Sequence, residues 1–357
     1  VAQLEDGADD RSTNTKHLLI QSIRHLIFFL FNFSVSCIMM SKSGMIRVAL
    51  DWTANTNHVG FFVSSALNFY KDRGISVEIV SAARDSYKKT PGRKLADREV
   101  EFAVAPSETA ISFATSDLDK PRCKAVAALL QSDTSAIVTL EDSKIQRPAE
   151  LDLKTYASYQ GRFEMAIVQQ LIKNDGGKGQ AIEKVPPKLG IWDTILNGSC
   201  DSTWVFMAWE GLLAKRQGVK INAFDLGSYG IPYGYTPVLL AHPEDMKNNP
   251  EMVSEFLAAT AEGYTFSVQN PTEAARILSQ SSDDPGLDDV EFLAESIEIL
   301  SDKYLDERGK WGHMNAKKWE SFTDWLLQNN LLTTRDGTFV EPSLLLSANL
   351  YTNQFLR

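Results

Sequence analysis

The stretch from Met45 to Val63 places the strongest limit on what this chain can fold into. Met45-Ile46-Arg47-Val48-Ala49-Leu50 is an apolar run of the kind that forms a buried strand. It empties into Asp51-Trp52-Thr53-Ala54-Asn55-Thr56-Asn57-His58, and Val59-Gly60-Phe61-Phe62-Val63 then opens a helix. A strand that passes through a polar loop into a helix puts that loop at the carboxyl edge of a parallel sheet, where open α/β folds bind small molecules. Trp52 supplies a flat aromatic surface there. Asn55, Asn57 and His58 supply hydrogen-bonding groups. The same residues also suit a plain turn, with Asn57 capping the helix.

From Met45 onward, strand and helix signals alternate. Strands are expected at 45–51, 76–82, 100–105 and 123–130, with helices at 59–72 and 107–116. This is the βαβ pattern of a parallel sheet. A second unit follows: strands at 136–140, 155–159 and 204–207, and a helix whose apolar face carries Phe163, Ile167, Val168, Leu171 and Ile172. A third stretch returns to a strand at 236–241. Asn249-Pro250 and Asn270-Pro271 then each start a helix, with proline at the first helical position. That order fits a two-lobed clamp whose chain crosses a hinge twice. Lobe one takes 45–135 plus 240–357, and lobe two takes 136–239.

Composition narrows the function. A net charge of −10 leaves no basic field for phosphate, so nucleic acid is not an expected partner. The basic stretch from Lys88 to Lys94 reads as a solvated loop. Cys37, Cys123 and Cys200 are far apart, and the five histidines form no ligand pattern, so no metal site is expected. Residues 1–44 stand apart. They hold an apolar block at 26–33, short for a membrane span, and Ser34-Val35-Ser36-Cys37 weakly matches a lipoprotein box. They read as a leader, or as an extension ahead of a true start at Met39, Met40 or Met45. A start near Met45 implies a cytoplasmic protein. A leader or anchor through 16–38 implies an exported or membrane-anchored one.

Three motifs in order carry a resemblance: Leu50 to His58, Tyr159-Gln160-Gly161-Arg162-Phe163-Glu164, and the run from Pro250 through Tyr264 to Ala275. Together they resemble the "no message in thiamine" (NMT-like) family over about residues 46–330. The resemblance implies an α/β, two-lobed periplasmic-binding-protein type II fold, each lobe a mainly parallel sheet flanked by helices. The family holds solute-binding proteins of ABC importers, including binders of thiamine-pyrimidine precursors. It also holds enzymes that make 4-amino-5-hydroxymethyl-2-methylpyrimidine phosphate from pyridoxal phosphate and a histidine of their own chain. Those enzymes carry an imine-forming Lys and a consumed His where this chain has Ala105 and Thr109, and a cysteine-rich iron motif that this chain lacks. An alanine cannot form an imine, and a threonine holds no imidazole. The resemblance therefore implies a binding protein with no catalytic residues and no cofactor. Pyridoxal phosphate and iron belong only to the synthase alternative.

The expected site follows. Trp52 stacks on a heteroaromatic ring. Asn55, Asn57 and His58 meet ring nitrogens or an amine. Ser107 and Glu108 stand at a helix start, where they also suit a cap. Tyr159, Gly161 and Glu164 form the matching edge of lobe two. Trp204, Trp209 and Glu210 place a carboxylate beside two indoles, which suits a protonatable aminopyrimidine. Tyr229, Tyr233 and Tyr235 lie in a Gly/Pro-spaced loop before the return hinge. Trp311, Trp319 and Trp325 read as packing. The expected partner is a small heteroaromatic ligand, with riboflavin or another ring compound as an alternative. An ABC permease is expected only for an exported protein, and a homodimer is compatible with the sequence.

Overall fold

The computed structural model describes residues 44–116, 123–334, 337–340 and 342–357. The apolar block 26–33, Cys37 and the rest of 1–43 lie outside them. The compact unit Met45–Arg357 contains two five-stranded sheets. The first has the order β2-β1-β3-β10-β4, built from β1 (Ile46–Ala49), β2 (Val77–Val80), β3 (Phe102–Ala105), β4 (Lys124–Ala128) and β10 (Val238–Ala241). The second has the order β7-β6-β8-β5-β9, built from β5 (Ser135–Leu140), β6 (Thr155–Ala157), β7 (Ile182–Lys184), β8 (Ser202–Phe206) and β9 (Ile221–Phe224).

The two sheets repeat one pattern. In the first, β1 pairs in parallel with β2 and β3, and β10 runs antiparallel between β3 and β4. In the second, β6 pairs in parallel with β7 and β8, and β5 runs antiparallel between β8 and β9. The chain passes between sheets after β4 and again before β10. The second sheet's strands all fall within 135–224, and the first sheet recovers β10 only after them.

Burial explains why these segments are strands. Every residue of β3 and β10 is buried, as expected for strands covered on both faces. The first helix is shorter than its sequence pattern implies. It covers Val59–Ala66, and Asn68 then turns left-handed at φ 63. Asparagine tolerates that conformation at little cost, so helical periodicity through residue 72 does not keep the helix going. The basic stretch is not a bare solvated loop. Pro91–Ala96 is helical, Lys94 is buried against Asp85 at 2.8 Å, and Lys89 reaches Asp97 at 2.6 Å. Trp311, Trp319 and Trp325 are buried packing residues. Among the described residues, no helix is long and apolar enough to cross a membrane.

The long helix Pro250–Gln269 anchors the first lobe. Phe256 stacks on Phe102 at 4.2 Å between ring centres and on Tyr70 at 5.4 Å, tying helix to sheet. Against the Val59–Ala66 helix the contact is closer than side chains allow. A Cβ on Gly263 would fall 2.1 Å from the Gly60 carbonyl oxygen, and one on Gly60 would enter the Tyr264 ring at 2.2 Å. Ser64 Oγ donates at this crossing to the Gly60 and Ala259 carbonyls, at 2.7 and 2.8 Å. Gly263→Ala must push the two helix backbones apart. It is expected to lower the stability of the protein by about 1–3 kcal/mol, read as a lower urea midpoint at unchanged slope. An unchanged midpoint would show that the crossing can open freely.

Candidate functional site

Because β1, β2 and β3 are parallel, their carboxyl ends share one edge of the first sheet; β6, β7 and β8 share one edge of the second. The loops leaving these six ends, with the return into β10, line a cavity of about 370 Å³. The β1 loop gives Asp51, Trp52, Asn55 and Asn57. The β2 loop gives Tyr87 and Thr90 to Gly92. The residues after β3 give Pro106, Glu108 and Thr109. From the second sheet come Tyr159 to Arg162 and Glu164, then Lys188, then Phe206, Trp209 and Glu210. Trp204 lines the cavity from β8 itself, and Tyr233 and Thr236 line it from the return segment.

Aromatic rings form the walls. Trp52 lies 5.6 Å from Tyr87 and 5.5 Å from Tyr159, so its ring spans from the first sheet's loops to the second's. Trp204 sits 5.1 Å from Tyr233, and its indole Nε1 donates to Ser135 Oγ at 2.6 Å. Trp209 packs edge-on against Phe292 at 4.9 Å. Rings held this way by neighbours present fixed faces to a flat ligand.

The β1 loop is organised by its own polar groups. Asn55 accepts the Asn57 N–H at 2.9 Å, and His58 Nδ1 accepts the Asn55 N–H at 3.3 Å. With Nδ1 an acceptor, His58 Nε2 carries the proton and donates to Asp51 Oδ1 at 2.7 Å. Both ring nitrogens are thus spent, and His58 is fully buried outside the cavity lining. It shapes the loop.

The lobe-two turn is built around Glu164. This buried carboxylate accepts from the Tyr159 and Gly161 N–H groups at 2.9 and 2.8 Å, from the Tyr156 hydroxyl at 2.8 Å and from Ser158 Oγ at 3.3 Å. Burial pushes its pKa up, and those four hydrogen bonds oppose the rise. Gly161 lies where Glu164 and Glu108 approach each other. A Cβ there would sit 3.1 Å from Glu108 Oε1 and 3.4 Å from Glu164 Oε2.

Glu108 and Glu210 differ from Glu164 in having few partners. Tyr233 is a hydrogen-bonding neighbour that favours the charged form of Glu108, while Oε2 is buried without any partner. Burial, reinforced by the charge of Glu164, pushes its pKa up to about 7. Glu210 accepts the Phe206 N–H at 3.1 Å, and burial pushes its pKa up to about 7 as well. Two cations line the cavity. Lys188 Nζ lies 4.7 Å above the Tyr87 ring, and burial lowers its pKa. Arg162 crosses to the helix Ser107–Ser116, donating to the Ser112 carbonyl at 3.1 Å and to Thr115 Oγ1 at 2.6 Å.

Of the residues expected from sequence, Trp52, Asn55, Asn57, Glu108, Tyr159, Gly161, Glu164, Trp204, Trp209, Glu210 and Tyr233 line the cavity. His58, Ser107, Tyr229 and Tyr235 do not. Ser107 is buried beneath Gly234 and donates its N–H to the Tyr235 carbonyl at 3.0 Å. The Tyr235 hydroxyl accepts the Asn315 N–H at 2.8 Å, so this ring faces away into packing with Trp319. Tyr229 sits edge-on to Phe224, and its carbonyl accepts from Asn174.

Tyr87 and Lys188 were not expected. Tyr87 lies among lysines in a loop that reads as solvated, and a positive φ of 57 turns it toward Trp52. The one signal for Lys188 was the Pro186-Pro187 break before it. Ala105 and Thr109 also line the cavity. Among the described residues no histidine lines it, and no group of three or more His, Cys, Asp or Glu side chains could hold a metal ion.

With this geometry in view, the comparisons with known proteins are consistent with one another. The formylaminopyrimidine-binding protein of Halalkalibacterium halodurans is 24% identical over 286 residues, covering 79% of this chain and 84% of its own. The 4-amino-5-hydroxymethyl-2-methylpyrimidine phosphate synthase of Legionella pneumophila is 22% identical over 246 residues, covering 68% and 75%. Among solved structures, the alkanesulfonate-binding protein SsuA of Xanthomonas axonopodis pv. citri superposes with a TM-score of 0.64 at 10% identity, covering 87% of this chain and all of that one. The nitrate-binding protein NrtA of Synechocystis PCC 6803 does so with a TM-score of 0.61 at 15% identity, covering 88% and 87%. These likenesses show the periplasmic-binding-protein type II fold. The family described as NMT1/THI5 like matches residues 55–274, more than half of the sequence, and the chain belongs to that family.

Proposed function

We propose that this protein binds a small aminopyrimidine of the thiamine-precursor type by closing two lobes on it, and does not turn it over. The observation that carries this reading is the pairing of aromatic walls with underused carboxylates in one cavity. Trp52, Tyr159, Trp204, Trp209 and Tyr233 offer faces to a flat ring, and Glu108 and Glu210 offer acceptors to its amine or protonated nitrogen. A relative named for formylaminopyrimidine binding supports the ligand class. An alkanesulfonate or nitrate fits poorly, because carboxylates face the cavity and both lining cations already have protein partners. A permease partner goes with this reading only for an exported protein, and the segment 16–38 that would decide export lies outside the described residues.

The synthase reading has one observation in its favour: Lys188 lines the cavity with a pKa lowered by burial. A lowered pKa makes a lysine a better imine former. Against it, Ala105 and Thr109 occupy the cavity positions at which the family's enzymes carry their Lys and His. His58 is sealed by Asp51 and Asn55 and cannot serve as a nitrogen source. The residues present do not fit pyridoxal phosphate chemistry.

Three measurements test this. A thermal-shift screen of residues 45–357 against formylaminopyrimidine, the hydroxymethyl aminopyrimidine, thiamine, riboflavin and pyridoxal phosphate is expected to give its largest shift with an aminopyrimidine. A ligand at a hundred times its dissociation constant adds about 2.7 kcal/mol, enough to raise the midpoint by several degrees. A shift with pyridoxal phosphate alone would sink the proposal. Trp52→Ala is expected to weaken aminopyrimidine binding about tenfold or more at nearly unchanged stability, and titration calorimetry that returns wild-type affinity would remove Trp52 from the ligand. Borohydride reduction in the presence of pyridoxal phosphate is expected to leave Lys188 unmodified; a pyridoxyl group on Lys188 by mass spectrometry would bring the enzyme back.

A further inference from the structure

Glu108 stands out among the polar groups of the cavity. It lies in the first turn of the helix Ser107–Ser116 and belongs to lobe one, while the other two cavity glutamates belong to lobe two. Its carboxylate is held at one end only. Tyr233 approaches it from the segment leading into β10, and Oε1 lies near Gly161. Oε2 has no partner and no contact with solvent. Native proteins rarely leave a buried carboxylate oxygen without a donor, because the lost hydration is not replaced. The charged groups facing it do not cure this. Glu164, across Gly161, repels it. Arg162, in the turn before Glu164, attracts it but donates to Ser112, Thr115 and the Thr333 carbonyl. Glu108 lines the cavity, so a ligand there can offer its carboxylate the donor that the protein withholds.

Resting on the reading above, we infer that Glu108 is the specificity-determining residue on the lobe-one side: it selects a ligand that brings an N–H donor to this underused carboxylate. Glu210 stands in lobe two, so the ligand is read by one carboxylate from each lobe, and only a closed cleft satisfies both. A ring of the same shape without the donor leaves the Glu108 carboxylate as it is in the free protein and gains nothing from closure. The ligand N–H pairs best with the ionised carboxylate. The pKa near 7 in the free protein then means that Glu108 gives up its proton to water when the ligand arrives below neutral pH. Affinity for the donor ligand should therefore rise with pH through 7.

The test is titration calorimetry on the wild type, Glu108→Gln and Glu108→Asp, between pH 6 and 8. The probes are 4-amino-5-hydroxymethyl-2-methylpyrimidine, its 4-deamino counterpart, and benzamidinium as a donor-bearing cation outside the pyrimidine class. The wild type is expected to prefer the amino probe over the deamino probe by about tenfold or more, and Glu108→Gln to lose most of that preference. The ratio of wild-type to Glu108→Gln affinity cancels the probe's own protonation and is expected to rise several-fold from pH 6 to 8. Glu108→Asp keeps the charge but withdraws it by one methylene. It is expected to bind the amino probe at least threefold more weakly with the pH dependence retained, and it decides the matter should Glu108→Gln fail to fold. An amino preference that survives in Glu108→Gln, or unchanged affinity in Glu108→Asp, overturns the role of Glu108 and leaves the proposed function standing. Binding of benzamidinium to the wild type but not to Glu108→Gln, with no pyrimidine bound, keeps Glu108 and removes the aminopyrimidine. No donor probe bound by the wild type overturns both.

Discussion

The cavity exists because each sheet takes in one strand against the direction of its neighbours. β10 enters the first sheet between β3 and β4 after the whole second sheet has been made, and β5 enters the second between β8 and β9. Val238 pairs with Ala105 and Ser135 with Phe206, so each inserted strand begins where its antiparallel neighbour ends. The two crossings are thereby anchored at the carboxyl edges of β3 and β8. Those edges, and the loops that leave them, have to face each other. The core continues across the join: Ala105 and Ala128 of the first sheet share one apolar cluster with Ile137, Tyr156 and Phe163 of the second. The join between the two sheets is thus packed with apolar side chains.

Within that frame, buried polar groups divide into two kinds. His58 and Glu164 are saturated by their own loops, and they hold the loops that carry Trp52 and Tyr159 at the cavity wall. Glu108 and Glu210 hold few protein partners and have carboxyls raised toward neutrality by burial. A scaffold can afford a few undersatisfied carboxyls only where something else completes them. The division is therefore a physical criterion for which acids position the site and which are left for a ligand.

The same division explains what the sequence made legible. Strand-to-loop transitions located four of the six lining loops and the return segment in outline, because the β1, β3, β6 and β8 edges are each followed at once by aromatic or acidic residues and the tyrosine-rich loop marks the return. Sequence could not separate His58 from Asn57, its neighbour. The difference is a ring rotated toward Asp51 and Asn55, a tertiary fact. Nor could it separate Tyr233 from Tyr235, two residues apart on an extended segment. They point to opposite sides, one to Glu108 and the other to Asn315. Tyr87 was hidden by lysines whose charges are consumed locally by Asp85, Asp97 and Glu99. Its approach to Trp52 depends on a left-handed backbone that no periodicity encodes.

Ala105 and Thr109 acquire meaning from where they stand. Both line the cavity, four residues apart, one at the end of β3 and the other in the first turn of the helix Ser107–Ser116. Between them the chain carries Glu108, with its unpartnered oxygen. A site that held a nucleophilic lysine here would need that lysine's charge and imine to coexist with Glu108 and Glu164 a few ångströms away. Carboxylates beside a lysine favour its ammonium form, which is not a nucleophile. With alanine at 105 the conflict is absent, and the acids are free to act on a ligand's donors. The substitutions and the carboxylates are thus two sides of one arrangement. The cavity is thus walled by rings and lined by acids of which Glu108 and Glu210 keep acceptor capacity to spare.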